Sequence, residues 1–138
     1  MSSYRGKDKK NNWRILPNFV SINGYSYLSD DDGFITKFSD SGLMAVRGEL
    51  IEVIPSSVGV NTNKKDKNNK QIFTGDVLRV STTVDQTTTN VDYLVEVSDG
   101  GYSASAITDG AEDSTLSTEF LASAAIVGNS TDNPSLVG

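Results

Sequence analysis

Cysteine and histidine are both missing from this 138-residue chain. Without them no thiolate or imidazole zinc site, disulfide, cysteine nucleophile or Ser-His-Asp triad can be built, and the usual haem and copper ligands go with them. No Gly-rich phosphate loop links a strand to a helix, so neither a transition metal nor an organic cofactor is expected. No apolar run approaches the length of a bilayer crossing, and the N-terminus has no basic segment followed by an apolar core. The expectation is a soluble protein without membrane contact. At this length, one domain or two small subdomains bury a modest core without a staple.

Basic residues are also missing from residue 81 onward, where nine acids stand alone. Residues 1–14 have the opposite character, with Arg5, Lys7, Lys9, Lys10 and Arg14 against Asp8. The net charge of −6 therefore hides two ends of opposite polarity. Such segregation favours reciprocal or head-to-tail contacts between copies; the plainer reading is two solvated faces with an acidic solubility bias.

What is abundant is short alternation of apolar and polar residues. Phe19 to Ile22, the turn Asn23-Gly24 and Tyr25 to Leu28 spell a hairpin, because Asn-Gly accepts the positive φ angles of a two-residue turn. Ser29 to Gly33 makes a second reversal into Phe34 to Phe38, and the three strands are expected to form a meander. Leu43 to Val46 and Leu50 to Ile54 read as strands around Arg47-Gly48, and Pro55 ends the second. Residues 56–71 are a polar connection rich in Asn and Lys, which places a boundary between subdomains 1–60 and 61–138.

Beyond it, Val77 to Val80 reads as a strand, and Ser81 to Asn90 as an exposed loop or flexible hairpin tip. Tyr93 to Val97 and Tyr102 to Ile107 form a further hairpin about Ser98 to Gly101. Its small residues, Ala104 and Ala106 alternating with Ser103 and Ser105, suit a closely approached strand face. Asp113-Ser114 is the expected N-cap of one short helix through Leu116, Phe120 and Leu121. The fold class is mainly β: short antiparallel strands in two small barrel-like or sheet subdomains, with one short helix near the C-terminus.

The segment Asp66 to Val80, DKNNKQIFTGDVLRV, and the tail Ala125 to Leu136, AIVGNSTDNPSL, resemble the phage and prophage YopX family, whose members read close to DKNGKxIFEGDIVRV and end in VIGNIYDNPEL. Tyr4 to Lys7 followed by Asn11 to Trp13 is similar to the family's FRGK and NGEW opening, and Glu52 to Gly59 to its EVIPETVGQ. Four ordered matches span most of the chain, 1–138. The departures are Asn69 and Asn63, where the family favours glycine, and Ser130-Thr131, where Ile-Tyr is common; they bear on turn geometry and tail packing. The resemblance implies a phage or prophage accessory protein of unknown activity, acting in the host cytoplasm as an interaction or assembly module.

The candidate binding patch is Arg5, Lys7, Lys64, Lys65, Lys67 and Lys70, which could contact phosphates; interleaved aromatics for stacking are sparse, and an acidic whole chain repels a polyanion at range. Trp13 and Phe73 are expected as core anchors. Gly75-Asp76 marks a backbone kink, with Asp76 bonding main-chain groups there rather than acting as a base, since no second carboxylate, histidine or metal motif accompanies it. Gly128, Asn129 and Pro134 shape the tail. Asp30, Asp31 and Asp32 lack the alternating acids and distal Glu of an EF-hand and read as a solvated turn. No catalytic or metal residues are assigned. The expected role is non-enzymatic, with a second copy or a host protein as partner; the alternative is a nucleic-acid-binding β-barrel using the lysine-rich turn.

Overall fold

Alternating residues with turn formers between them become hairpins throughout. A computed structural model describes residues 3–30, 34–38, 44–47, 50–99 and 101–137. Asp31, Asp32, Gly33, Leu43, Gly48 and Gly100, named in the turn and strand readings above, lie outside them. The strands are β1 (Tyr4–Lys7), β2 (Trp13–Leu16), β3 (Asn18–Ile22), β4 (Tyr25–Ser29), β5 (Phe34–Phe38), β6 (Met44–Arg47) and β7 (Leu50–Val53), followed by β8 (Gly59–Lys65), β9 (Gln71–Phe73), β10 (Asp76–Val84), β11 (Thr87–Ser98), β12 (Gly101–Ala106), β13 (Ser114–Thr115) and β14 (Ala124–Asn129). Among the described residues one α-helix, α1 (Thr118–Leu121), precedes β14. The protein is thus mainly β, its strands pair antiparallel, and among the described residues every sheet is open rather than closed into a barrel.

The chain divides into two compact units, Met1–Val60 and Asn61–Gly138. In the first, β1 pairs with β2 and with Gly59 and Val60, while β3, β4 and β7 form a separate sheet in that order. Leu28 and Val53 are fully buried. The hairpin at Asn23-Gly24 forms as the dipeptide dictates, with φ of 50° and 84°. The meander does not: β5 pairs with β6, and the second edge of β4 takes β7, setting Ser26 opposite Val53 and Ser29 opposite Leu50. Alternation identifies a strand but leaves its neighbour open, and here the non-local partner that carries the buried Val53 occupies that edge.

In the second unit β13-β12-β11-β10-β14 form one sheet, and β8 from Asn61 onward pairs with β9. One face buries Ile72, Leu78, Val95, Ala104, Leu116, Leu121 and Ala124, with Tyr93 and Phe120 packed edge to face at 5.0 Å. Ala104 at the centre of β12 is fully buried, which is where the small-residue alternation matters. The helix begins later than the sequence suggests. Ser114–Thr115 is strand β13, the Asp113 carboxylate accepts from Ala106 N at 2.7 Å, and Ser117 is the N-cap, its Oγ accepting from Phe120 N. Leu116 reaches the core from the extended segment between them, so the helix starts only after it.

Ser81 to Asn90 is a regular hairpin tip, not a loop. β10 and β11 stay in register through Val84 and Thr87 and turn on Asp85-Gln86, whose φ values of 51° and 68° are those of a two-residue turn with both central residues left-handed. Asn69 and Asn63, standing in for family glycines, also take left-handed backbone, at 65° and 61°. Asparagine tolerates that region better than other side chains, so the turn at Asn69 and the bulge at Asn63 both form.

Candidate functional site

Each unit presents a basic hairpin, and the two hairpins are built alike. In the first, Asp8 N donates to Asn12 O, Asn11 N to Asp8 O, and the Asp8 carboxylate accepts from Lys10 N and Asn12 N, both at 2.9 Å. In the second, Asp66 N donates to Lys70 O, Asn69 N to Asp66 O, and the Asp66 carboxylate accepts from Asn68 N and Lys70 N, both at 2.9 Å. Asn11 and Asn69 hold the left-handed position of the two turns. The recurring string is Asp, Lys, any residue, Asn, and the second carboxylate oxygen then reaches outward. Asp8 Oδ2 meets Arg14 Nη1 at 3.4 Å; Asp66 Oδ2 accepts from Ile126 N at 2.9 Å.

These buried carboxylates are ionised clamps. The Asn12 amide, above all, holds the Asp8 carboxyl below its ordinary value against the opposing effect of burial, helped by the Lys10 amide and the Arg14 guanidinium. Burial pushes Asp66 up, but the amides of Ile126, Lys70 and Asn68 and the Lys70 charge outweigh it, and the net shift is downward. Asp76, the third buried carboxylate, accepts from Phe73 N at 2.8 Å across the Gly75 turn.

The sequence-assigned patch residues separate into two sets. Arg5 and Lys7 belong to the first unit and stand over the Trp13 ring, 4.7 and 5.5 Å from its centroid. Trp13 is therefore not a core anchor. It is half-buried on β2 opposite Lys7, and its π-face is covered by cations, an arrangement worth about 0.5–1 kcal/mol at an exposed site. Lys64, Lys65, Lys67 and Lys70 belong to the second unit, and all four are exposed around the β8–β9 hairpin. Lys64 edges a cleft of about 420 Å³ that Tyr102, Leu116 and Ser117 also line.

Phe73 is buried, at 3% exposure. Gly75 has a φ of +92° and donates to Val95 O, while its carbonyl accepts from Ser130 N at 2.8 Å. A Cβ on Gly128 would lie 2.5 Å from Asn133 Oδ1, so the tail folds back tightly there. Asn129 Oδ1 accepts from Thr131 N and Asp132 N, and Pro134 opens a short 3-10 turn. Ser130-Thr131 thus lies within an Asn-capped turn. Sequence reasoning passed over Asp8 and Asp66; the signal available was the repeated Asp-Lys-x-Asn string.

Among the described residues, no group of three or more Asp or Glu converges as metal ligands, and no helix is long and apolar enough to cross a membrane. The shared motifs instead meet one another. Lys67 N donates to Ala124 O, Asp66 holds Ile126, and Gly75 holds Ser130, so the DKNNKQIFTGDVLRV and AIVGNSTDNPSL strings form one structural unit.

An open-sheet β-protein whose diagnostic strings are turn and tail clamps is the class this geometry defines. The YopX protein family profile matches residues 3–138, and the chain belongs to that family. Among solved structures it is similar to the crystal structure of protein EF1440 from Enterococcus faecalis, with a TM-score of 0.61, 16% identity, and coverage of 100% of this chain and 99% of that one. At that identity the likeness shows the fold alone. No curated protein matches.

Proposed function

We propose that this chain is a non-enzymatic interaction or assembly module, a phage or prophage accessory protein that associates with itself or with a host protein in the host cytoplasm. The observation that carries this reading is the bipolar second unit. It exposes Lys64, Lys65, Lys67 and Lys70 on one hairpin, while every acid from Asp85 to Asp132 except Asp92 is also exposed, with no base beyond Arg79. Arg79 is engaged by Asp92 at 2.7 Å. A unit that exposes both a cationic hairpin and many acids suits reciprocal pairing of copies. The non-enzymatic reading is supported by the buried carboxylates Asp8, Asp66 and Asp76, each of which accepts main-chain amides in its own turn.

Light scattering at low and moderate salt tests the reading: a mass above one chain, falling as salt screens the charges, is expected. A single-chain mass at micromolar concentration in both conditions would leave only a host partner, to be sought by affinity capture from host lysate. The exposed lysine hairpin favours a second reading, nucleic-acid binding. A steeply salt-dependent affinity for DNA or RNA, lost on replacing those lysines, would establish it instead.

A further inference from the structure

The end of the β10–β11 hairpin is an exposed arm whose two faces differ. All residues from Ser81 to Asn90 are exposed. Beyond the Val80–Ala124 pair β14 no longer accompanies β10, and beyond the Tyr93–Ala106 pair β12 no longer accompanies β11. One face carries a ladder of polar pairs: Arg79 with Asp92, Ser81 Oγ with Asn90 Oδ1 at 2.6 Å, and Thr83 with Thr88 at 3.0 Å. The opposite face continues the core. Leu78 is fully buried opposite Tyr93, and the same side runs outward through the pairs Val80–Val91, Thr82–Thr89 and Val84–Thr87, all β-branched, with Val84 63% exposed. A methyl-bearing strip that begins in the core thus ends in solvent.

The outer edge of β11 is equally open. Asp92 turns its main chain away from β10, its N–H donating to Thr108 Oγ1 and its carbonyl accepting from Ile107 N. The period-two alternation of an antiparallel pair then directs the main-chain groups of Asn90 and Thr88 outward on the same side. Among the described residues nothing blunts that edge. Residues 81–90 hold no Lys, Arg or Pro, the β10–β11 register has no bulge here, and the only charge is Asp85 at the tip. Natural edges left in solvent carry such devices, and a two-stranded ribbon alone is marginal in water.

We infer that this arm is a self-pairing element: the β11 edges of two copies join antiparallel about a two-fold axis, with Thr88 opposite Asn90 of the other copy and Thr89 opposite its own equivalent. Near-neutrality selects this occupant. A second arm brings no like charge to the pairing strand and offers an edge of the same length, whereas an acidic or basic partner gains nothing there. Each Thr88 and Asn90 donates and accepts one main-chain hydrogen bond across the axis, and the two β-branched strips merge into one face. This inference rests on the self-association proposed above and adds to its charged surfaces an uncharged pairing element.

Two variants test it. Thr88→Pro removes an outward N–H that the chain itself does not use, a substitution edge strands tolerate. It should reduce the light-scattering mass to a single chain while melting like the wild type. Thr89→Cys introduces the sole thiol of the protein at a facing pair within disulfide reach, and should form a covalent dimer under mild oxidation much faster than the exposed control Val97→Cys. A folded Thr88→Pro that keeps the wild-type mass, or a Thr89→Cys no faster than the control, overturns the arm pairing while self-association stands. A monomeric wild type overturns both. Should Thr88→Pro fail to fold, the cross-linking rate alone decides.

Discussion

At the scale of single residues, Gly75 and Asp66 are the positions on which the second unit turns. Gly75 sits at φ +92° between β9 and β10, with both of its main-chain groups bonded. Gly75→Val forces a β-branched side chain into that region and should lower stability by about 1–3 kcal/mol; a denaturant melt matching the wild type would show the position to be ordinary. Asp66 is the more economical clamp, since one carboxylate holds its own turn and the start of β14. Asp66→Ala should cost about 1–3 kcal/mol through stranded amides, measured by the same melt. Gly75 and Asp76 were legible in the sequence because Gly-Asp before an apolar run has a local meaning. Asp66 was not, since its partner Ile126 lies far along the chain, and Trp13 was misjudged because apolarity does not reveal that cations cover its ring.

At the scale of elements, hairpins declared themselves and sheet neighbours did not. Asn23-Gly24 fixes its turn by dihedral preference, whereas the edge of β4 is decided by which distant strand carries Val53. The helix was displaced for a related reason: Asp113 resembles a cap, but the sheet claims Ser114–Thr115 first. The β10–β11 turn shows local preference overridden. Asp85 and Gln86 both adopt positive φ, where an L side chain costs about 1–2 kcal/mol. Gln86→Gly should therefore tighten the arm, with amide exchange at Thr87 and Thr89 slowing roughly five-fold, the equivalent of about 1 kcal/mol. Unchanged exchange would mean that the arm is held by something other than its turn.

At the scale of the whole molecule, charge separates two responses to acid. With no histidine, stability should be nearly flat between about pH 5 and 8, because no side chain with an ordinary pKa titrates there. Asp8 and Asp66 have folded values below their unfolded value of 3.8. Their contribution is fully present above 3.8 and is lost as the pH falls through the lower folded values. The sequence isoelectric point lies near 4.5, above the range in which the Asp8 and Asp66 clamps are lost. Falling pH should thus first bring the net charge to zero and only later open the turns. Far-UV circular dichroism followed from pH 7 to 3 should show the strand signal intact at 4.5 and failing only below 3.8. Loss of strand signal first would mean that the Asp8 and Asp66 clamps are not what holds the fold in acid.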